Sequence, residues 1–235
     1  MFVRDEDSEW DPPRYSYFRG DELRHRGQSL SRLLEYAIWD VHGCISEKTR
    51  DYLLLHSGAV GRGGESTLIV GAAGVGKSSL VASLLELGFD YLSDELGAID
   101  PVTQHAYPFP KRISLDPDSL AFYPGLRERL GDRQGISEGL AGRFVRPDDL
   151  GASVAGPCDV RWLVFPSGDR DGSPRLSPLS KAEAVKRMAE LSFNLYRFKE
   201  RGVVLLSRIA DRAEAYQLDG GSVRERAALL AERFG

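Results

Sequence analysis

Cysteine is nearly missing from this chain of 235 residues, which holds two, Cys44 and Cys158. Two are too few for a disulfide framework or a Cys-rich zinc site, and they read as a pair of reduced thiols. Long apolar runs are missing as well. No stretch reaches 18 apolar residues, so no bilayer-spanning helix is expected. The first residues include Arg4, Asp5, Glu6, Asp7 and Glu9 without an apolar segment, which is not the pattern of a secretory signal. Lysine is scarce too: of 31 basic residues, 6 are lysine and 25 are arginine. That bias follows base composition rather than chemistry. The formal charge of −4 lacks the electrostatic footprint of a nucleic-acid or anionic-membrane binder. What is present, 42% hydrophobic and 28% charged residues, is ordinary for a globular protein. A chain of this length buries roughly two thirds of its unfolded surface without covalent staples. The expectation is a cytoplasmic protein with neither nucleic acid nor membrane as partner.

Residues 1–28 are polar, broken by Pro12, Pro13, Gly20 and Gly27, and dotted with aromatics. They read as an extended arm or sheet edge that covers the domain's own sheet. From Ser29, apolar residues at Leu30, Leu33, Leu34, Ala37, Ile38 and Val41 predict an amphipathic helix ending near Gly43. Residues 52–55 read as a short buried strand closed by His56. Residues 66–70 predict a strand, 71–76 a glycine-rich turn, and 77–87 a helix stopped by Gly88. Residues 89–92 lead into Asp94 and Glu95, which completes a βαβ-like unit. Seven of the twelve prolines fall between 101 and 157, so 101–160 reads as long functional loops, with the 120s to 150s as a lid. A strand over 161–165 follows, and Ser180 with Glu183 forms a capping-box pattern ahead of a helix reaching Leu195. The run 203–206 fits a strand or a buried helix equally. Ser222 caps a last helix. Residues 1–50 are taken as an arm and helix packing on the core, and 51–235 as the catalytic domain.

Residues 71–78, Gly-Ala-Ala-Gly-Val-Gly-Lys-Ser, match G-x-x-x-x-G-K-[ST] between a predicted strand and a predicted helix. Glycine lets backbone N–H groups turn inward around an anionic phosphate, where a side chain would block its approach. The following helix points its positive end at the same anion. The nucleotide is therefore expected against Gly71, Ala73, Gly74, Val75, Gly76, Lys77, Ser78 and Ser79. Lys77 reaches the β and γ phosphates, and the Ser78 hydroxyl is a ligand for Mg²⁺. Asp94 and Glu95 follow Lys77 by 17 and 18 residues. A parallel neighbouring strand would bring them beside the turn, where acids hold Mg²⁺ or accept a proton from an attacking hydroxyl. His56 precedes Lys77 by 21 residues; a lone histidine is more often structural than catalytic.

Taken together, His56-Ser-Gly-Ala-Val60, the turn 71–78, Gly88 and Asp94–Glu95 resemble the catalytic domain of HPr kinase/phosphorylase. That family comprises bacterial protein-serine kinases with a phosphate loop on a phosphoenolpyruvate-carboxykinase-like fold. The resemblance implies an α/β P-loop fold, ATP and Mg²⁺ as cofactors, and Lys77 on the phosphates. It makes Ser78, Asp94 and Glu95 the metal ligands, with Asp94 or Glu95 as general base and His56 tuning it. The family's second acid is usually Asp; here it is Glu95. Only about 50 residues precede His56, and the family's Arg-Gly-x-Gly substrate signature is replaced at best by residues 139–143, Gly-Leu-Ala-Gly-Arg. The chain is thus more similar to the short HPr-kinase-related proteins, some of which phosphorylate ribosomal peptides such as lasso-peptide precursors. The wider group also contains a free-serine kinase. The HPr enzymes are hexamers, and a homo-oligomer is compatible with the resemblance.

Phosphoryl transfer calls for a further cation, with Lys111, Arg112, Arg143 and Arg146 as candidates. Asn194, in an otherwise apolar pattern, is either a site residue or a packed amide. The expected function is transfer of a γ-phosphoryl group to the serine-type hydroxyl of a protein or peptide. Its rivals are a nucleotide hydrolase or switch, a non-catalytic nucleotide-binding partner, and a small-molecule kinase.

Overall fold

Leu68, Ile69 and Val70 are buried one after another, which a strand sustains only when both of its faces are covered. In the computed structural model they end strand β5 (Glu65–Val70). Their alternation divides them, with Ile69 facing one core and Leu68 and Val70 the other. The structure describes residues 2–4, 15–115, 117–120, 122–123, 126 and 144–235.

Before β5 the chain forms β1 (Phe2–Arg4), β2 (Tyr15–Arg19), β3 (Glu22–Gly27), α1 (Leu30–Lys48) and β4 (Leu53–Arg62). After it come α2 (Lys77–Glu86), β6 (Asp90–Ser93), β7 (Leu96–Ile99), β8 (His105–Tyr107), β9 (Ile113–Ser114), the short α3 (Pro117–Leu120) and β10 (Phe144–Val145). A 3-10 turn, Pro147–Leu150, leads to β11 (Cys158–Pro166) and β12 (Arg175–Pro178). The chain ends with α4 (Lys181–Glu190), α5 (Leu195–Phe198), α6 (Glu200–Arg212), β13 (Glu214–Asp219) and α7 (Val223–Phe234).

An eight-stranded mixed sheet in the order β12-β13-β11-β5-β4-β7-β8, with β6 also on β4, organises the chain as an α/β protein. β13, β11 and β5 run parallel, and β4 is antiparallel to β5, β6 and β7. One core joins Ile69 to Leu80, Leu84, Leu85 and Tyr91 and to Leu230 and Phe234 of α7. The other joins Leu68 to Leu163, Met188 of α4, and Leu206 and Ile209 of α6. Helices α2 and α7 therefore cover one face, and α4 and α6 the other.

Several sequence expectations are corrected. The described strands of the arm pair with one another in a separate three-stranded sheet. Helix α1 runs through Gly43 to Lys48. A mid-helix glycine costs about 1 kcal/mol, and tertiary contacts hold the turns beyond it: Asn194 donates to the Thr49 carbonyl at 3.3 Å, and Arg197 donates to that of Glu47. His56 does not close its strand, since β4 continues six residues past it to Arg62. The acid pair does not follow a strand adjacent to β5, because β4 lies between β5 and β6 and runs against both. Ser180 caps α4 by accepting from the Glu183 N–H at 3.2 Å, the helix stops at Glu190, and residues 203–206 lie within α6. The region 101–160 includes β8, β9, β10 and the 3-10 turn. The lid expected from the 120s onward lies mostly outside the described residues, as do 139–143. Cys44 and Cys158 are free thiols. Among the described residues no helix is long and apolar enough to cross a membrane.

Candidate active site

Where β5 ends, Gly71 donates its N–H to the His56 carbonyl at 3.2 Å, which ties the glycine-rich turn to β4. Gly74 and Gly76 take φ of +82° and +90°, a region that L side chains enter only at a cost. A Cβ on Gly71 would come within 2.8 Å of the Val75 side chain. No side chain caps α2, so its first amides open into a cleft of ≈ 760 Å³. Ala73, Gly74, Gly76, Lys77, Ser78 and Ser79 line that cleft, whereas Gly71 and Val75 are not among its lining residues. Ser79 is largely committed elsewhere: its hydroxyl meets that of Ser119 at 2.8 Å, and its carbonyl accepts from Tyr123 at 2.6 Å. The Ser78 hydroxyl has no partner among the described residues.

Lys77 is buried, with 6% of its surface exposed. Its ammonium donates to the Ala72 carbonyl at 2.8 Å and lies 3.1 Å from His56 Nε2. Burial pushes its pKa down to about 8, against the opposing pull of Glu95 and Asp94. An ammonium has only donors to offer, so Nε2 must be the unprotonated, accepting nitrogen of a neutral imidazole. Burial first, and the neighbouring Lys77 second, hold the His56 pKa below the usual histidine range, while Glu95 works the other way.

The two acids sit in the tight turn between β6 and β7. Ser93 Oγ accepts from the backbone of Glu95 at 3.1 Å and of Leu96 at 3.0 Å, fixing that turn. From there the two carboxylates diverge. Asp94 is enclosed: Oδ1 accepts from Tyr91 at 2.8 Å and from Lys111 at 2.7 Å, and Oδ2 accepts from the Ser114 N–H at 3.3 Å. Burial and the Asp94 charge push the Tyr91 phenol well above its usual pKa, so it stays a donor. The Glu95 side chain is 37% exposed, and its Oε1 stands 3.6 Å from His56 Nε2.

Lys77, Ser78, His56, Asp94 and Glu95 thus share one cleft, although the strand order that brings them there differs from the expected one. Among the cation candidates, Lys111 binds Asp94, Arg146 pairs with Asp149 at 3.3 Å, Arg112 is not among the cleft residues, and Arg143 lies outside the described residues. Asn194 is a packed amide, accepting from Leu54 N–H at 2.9 Å and donating to the Tyr52 carbonyl at 2.9 Å. Arg170, Ser114, Ser222 and Glu225 also line the cleft; the sequence marked Ser222 only as a helix cap and gave the others no place in a site.

Among the described residues no group of three or more His, Cys, Asp or Glu is placed to hold a metal. The donors present, one free hydroxyl and one open carboxylate, instead suit a hard dication held largely by water and phosphate. No protein-family model matches this sequence, and no curated protein matches it.

Proposed function

We propose that the chain is a P-loop kinase of the HPr-kinase-like type, transferring the γ-phosphoryl group of ATP or another nucleoside triphosphate to the serine-type hydroxyl of a protein or ribosomal peptide. One observation carries the reading: a glycine-rich turn with two left-handed residues, at the head of a helix, shares its cleft with a buried lysine, a histidine beside that lysine and an open carboxylate. Each part answers a need of phosphoryl transfer, which is mostly positioning and charge stabilisation. The amides of 73–79 and the Lys77 ammonium receive the phosphates. Mg²⁺, held beside Ser78 and the acid pair, would neutralise charge on the β and γ phosphates. Glu95 takes the proton of the acceptor hydroxyl. Its exposure favours it over Asp94, whose oxygens are already engaged by Tyr91, Lys111 and Ser114. Asp94 pairs with Lys111 and accepts from Tyr91, and His56 Nε2 lies within 3.1 Å of Lys77 and 3.6 Å of Glu95.

The test uses γ-labelled ATP, Mg²⁺ and serine-bearing peptides or lysate of the source organism, with Lys77→Ala and Glu95→Gln as controls. Label on a peptide or protein serine, lost in both variants, is the expected result. Label released only as free phosphate makes the chain a hydrolase or switch, and binding without turnover makes it a nucleotide-binding partner.

A further inference from the structure

We propose that the end of the cleft bounded by Arg170, Ser222, Val223 and Glu225 is the nucleoside subsite, with the Arg170 guanidinium as the surface on which the base stacks. The inference rests on the triphosphate reading above and gives that site its second half.

Sheet order sets the direction. The acid pair follows β6, on the β4 side of β5, while Arg170 follows β11 and Ser222 follows β13, on the opposite side. A triphosphate seated on the turn after β5 with its reacting end toward Glu95 must extend its nucleoside toward β11 and β13. Ligands of parallel α/β sheets lie beyond the carboxyl ends of the strands, and β5, β11 and β13 are the parallel set. Two strand spacings, about 10 Å, give ribose and base room to extend.

The loop there is built to present a cation. Buried Arg226 donates to the carbonyls of Gly220 at 2.7 Å and Ser167 at 3.1 Å and also to that of Asp169. One guanidinium thereby joins the β11 and β13 loops and fixes the backbone on which Arg170 stands. Arg170 Nη2 donates to the Val75 carbonyl at 3.2 Å, and a Cβ on Gly76 would come within 2.4 Å of it. No carboxylate pairs with Arg170 among the described residues. An unpaired guanidinium laid against a phosphate-type turn offers a planar cationic face to an aromatic ring. Glu225 has one oxygen held by the Ser222 N–H at 2.8 Å and the Ser222 hydroxyl at 2.7 Å. Its other oxygen has no partner among the described residues and suits a ribose hydroxyl.

Calorimetry of the full chain with Mg·ATP and with inorganic tripolyphosphate, in wild type and Arg170→Ala, separates the possibilities. The expected result is about tenfold weaker ATP binding with tripolyphosphate affinity unchanged. Equal weakening of both ligands would make Arg170 a phosphate contact and overturn the proposal, as would no weakening of either. A wild type that binds tripolyphosphate no more weakly than ATP overturns the nucleoside subsite and leaves the phosphate cradle standing. A wild type that binds neither overturns the triphosphate reading and this inference with it.

Discussion

Lys77 Nζ lies 3.1 Å from His56 Nε2, so the two groups on which the cleft's charge depends cannot both be cationic at ordinary cost. Burial depresses the protonation of both, and the Lys77 ammonium depresses that of His56 further.

The first prediction concerns Lys77 and pH. Its pKa is about 8 in the folded chain and about 10.4 when unfolded. Between these values the unfolded chain binds more protons, so this group makes stability rise with pH across that window. A polyanion on the turn reverses the shift, so nucleotide binding near pH 9 should take up a proton. Calorimetry in two buffers of different ionisation enthalpy reads that directly. Binding with no linked proton would place the anion away from Lys77.

His56 gives the complementary acid-side prediction. Its folded pKa lies below the ordinary histidine value, so its contribution to stability is complete above about pH 6.5. That contribution is lost as pH falls through the folded pKa. Lys77→Met removes the neighbouring ammonium, and the His56 titration followed by NMR should move up toward the ordinary value. An unmoved titration would mean that burial alone sets it.

Gly76 carries two demands at once, a φ of +90° and a guanidinium where its Cβ would be. Gly76→Ala should destabilise the fold by about 2 kcal/mol and weaken nucleotide binding at least a hundredfold. Adding Arg170→Ala removes the collision but not the backbone strain, so denaturant melts of the double variant should recover only part of the loss. Full recovery would show that φ is not the constraint.

The glycine-rich turn, α2 and the acid pair were legible because each depends on local rules: backbone freedom at glycine, helical period, and a Ser93-stabilised turn. The position of β4 between β5 and β6 was not. Its residues 57–61, Ser-Gly-Ala-Val-Gly, lack the apolar run that marks a strand, and their partners lie in distant segments. Gly58 is there because a Cβ would come within 2.6 Å of Val81, a contact between elements that no local pattern encodes. Helix α1 outran Gly43 for the same reason, since Asn194 and Arg197 hold its end from about 150 residues away. Arg170 was one of 25 arginines until the parallel order of β5 and β11 set it against the turn.

The two acids should separate kinetically. Glu95→Gln should lower turnover about a hundredfold or more while nucleotide affinity and the melting temperature stay near wild type, because Glu95 is half-exposed. Asp94→Asn should lower the melting temperature as well, because it weakens the anchor for Lys111 and Tyr91. If Asp94→Asn alone abolishes turnover with stability intact, the base is Asp94.

Among the described residues the most buried ion pair is Lys111–Asp94, 2.7 Å apart with the carboxylate side chain fully buried and the lysine side chain 17% exposed. Removing one partner of such a pair leaves a charge that the interior cannot solvate, at a cost of about 3–5 kcal/mol. Tyr91 and the Ser114 N–H still donate to Asp94, which places Lys111→Met at the lower end, about 3 kcal/mol. Replacing both charges, Lys111→Met together with Asp94→Asn, removes the stranded carboxylate while the new amide oxygen still accepts from Tyr91. The double variant should therefore recover most of the loss in urea titrations, with a coupling energy of about 2 kcal/mol. Additive losses would mean that the two residues act independently, and that Lys111 is there for a ligand's charge rather than for the carboxylate's.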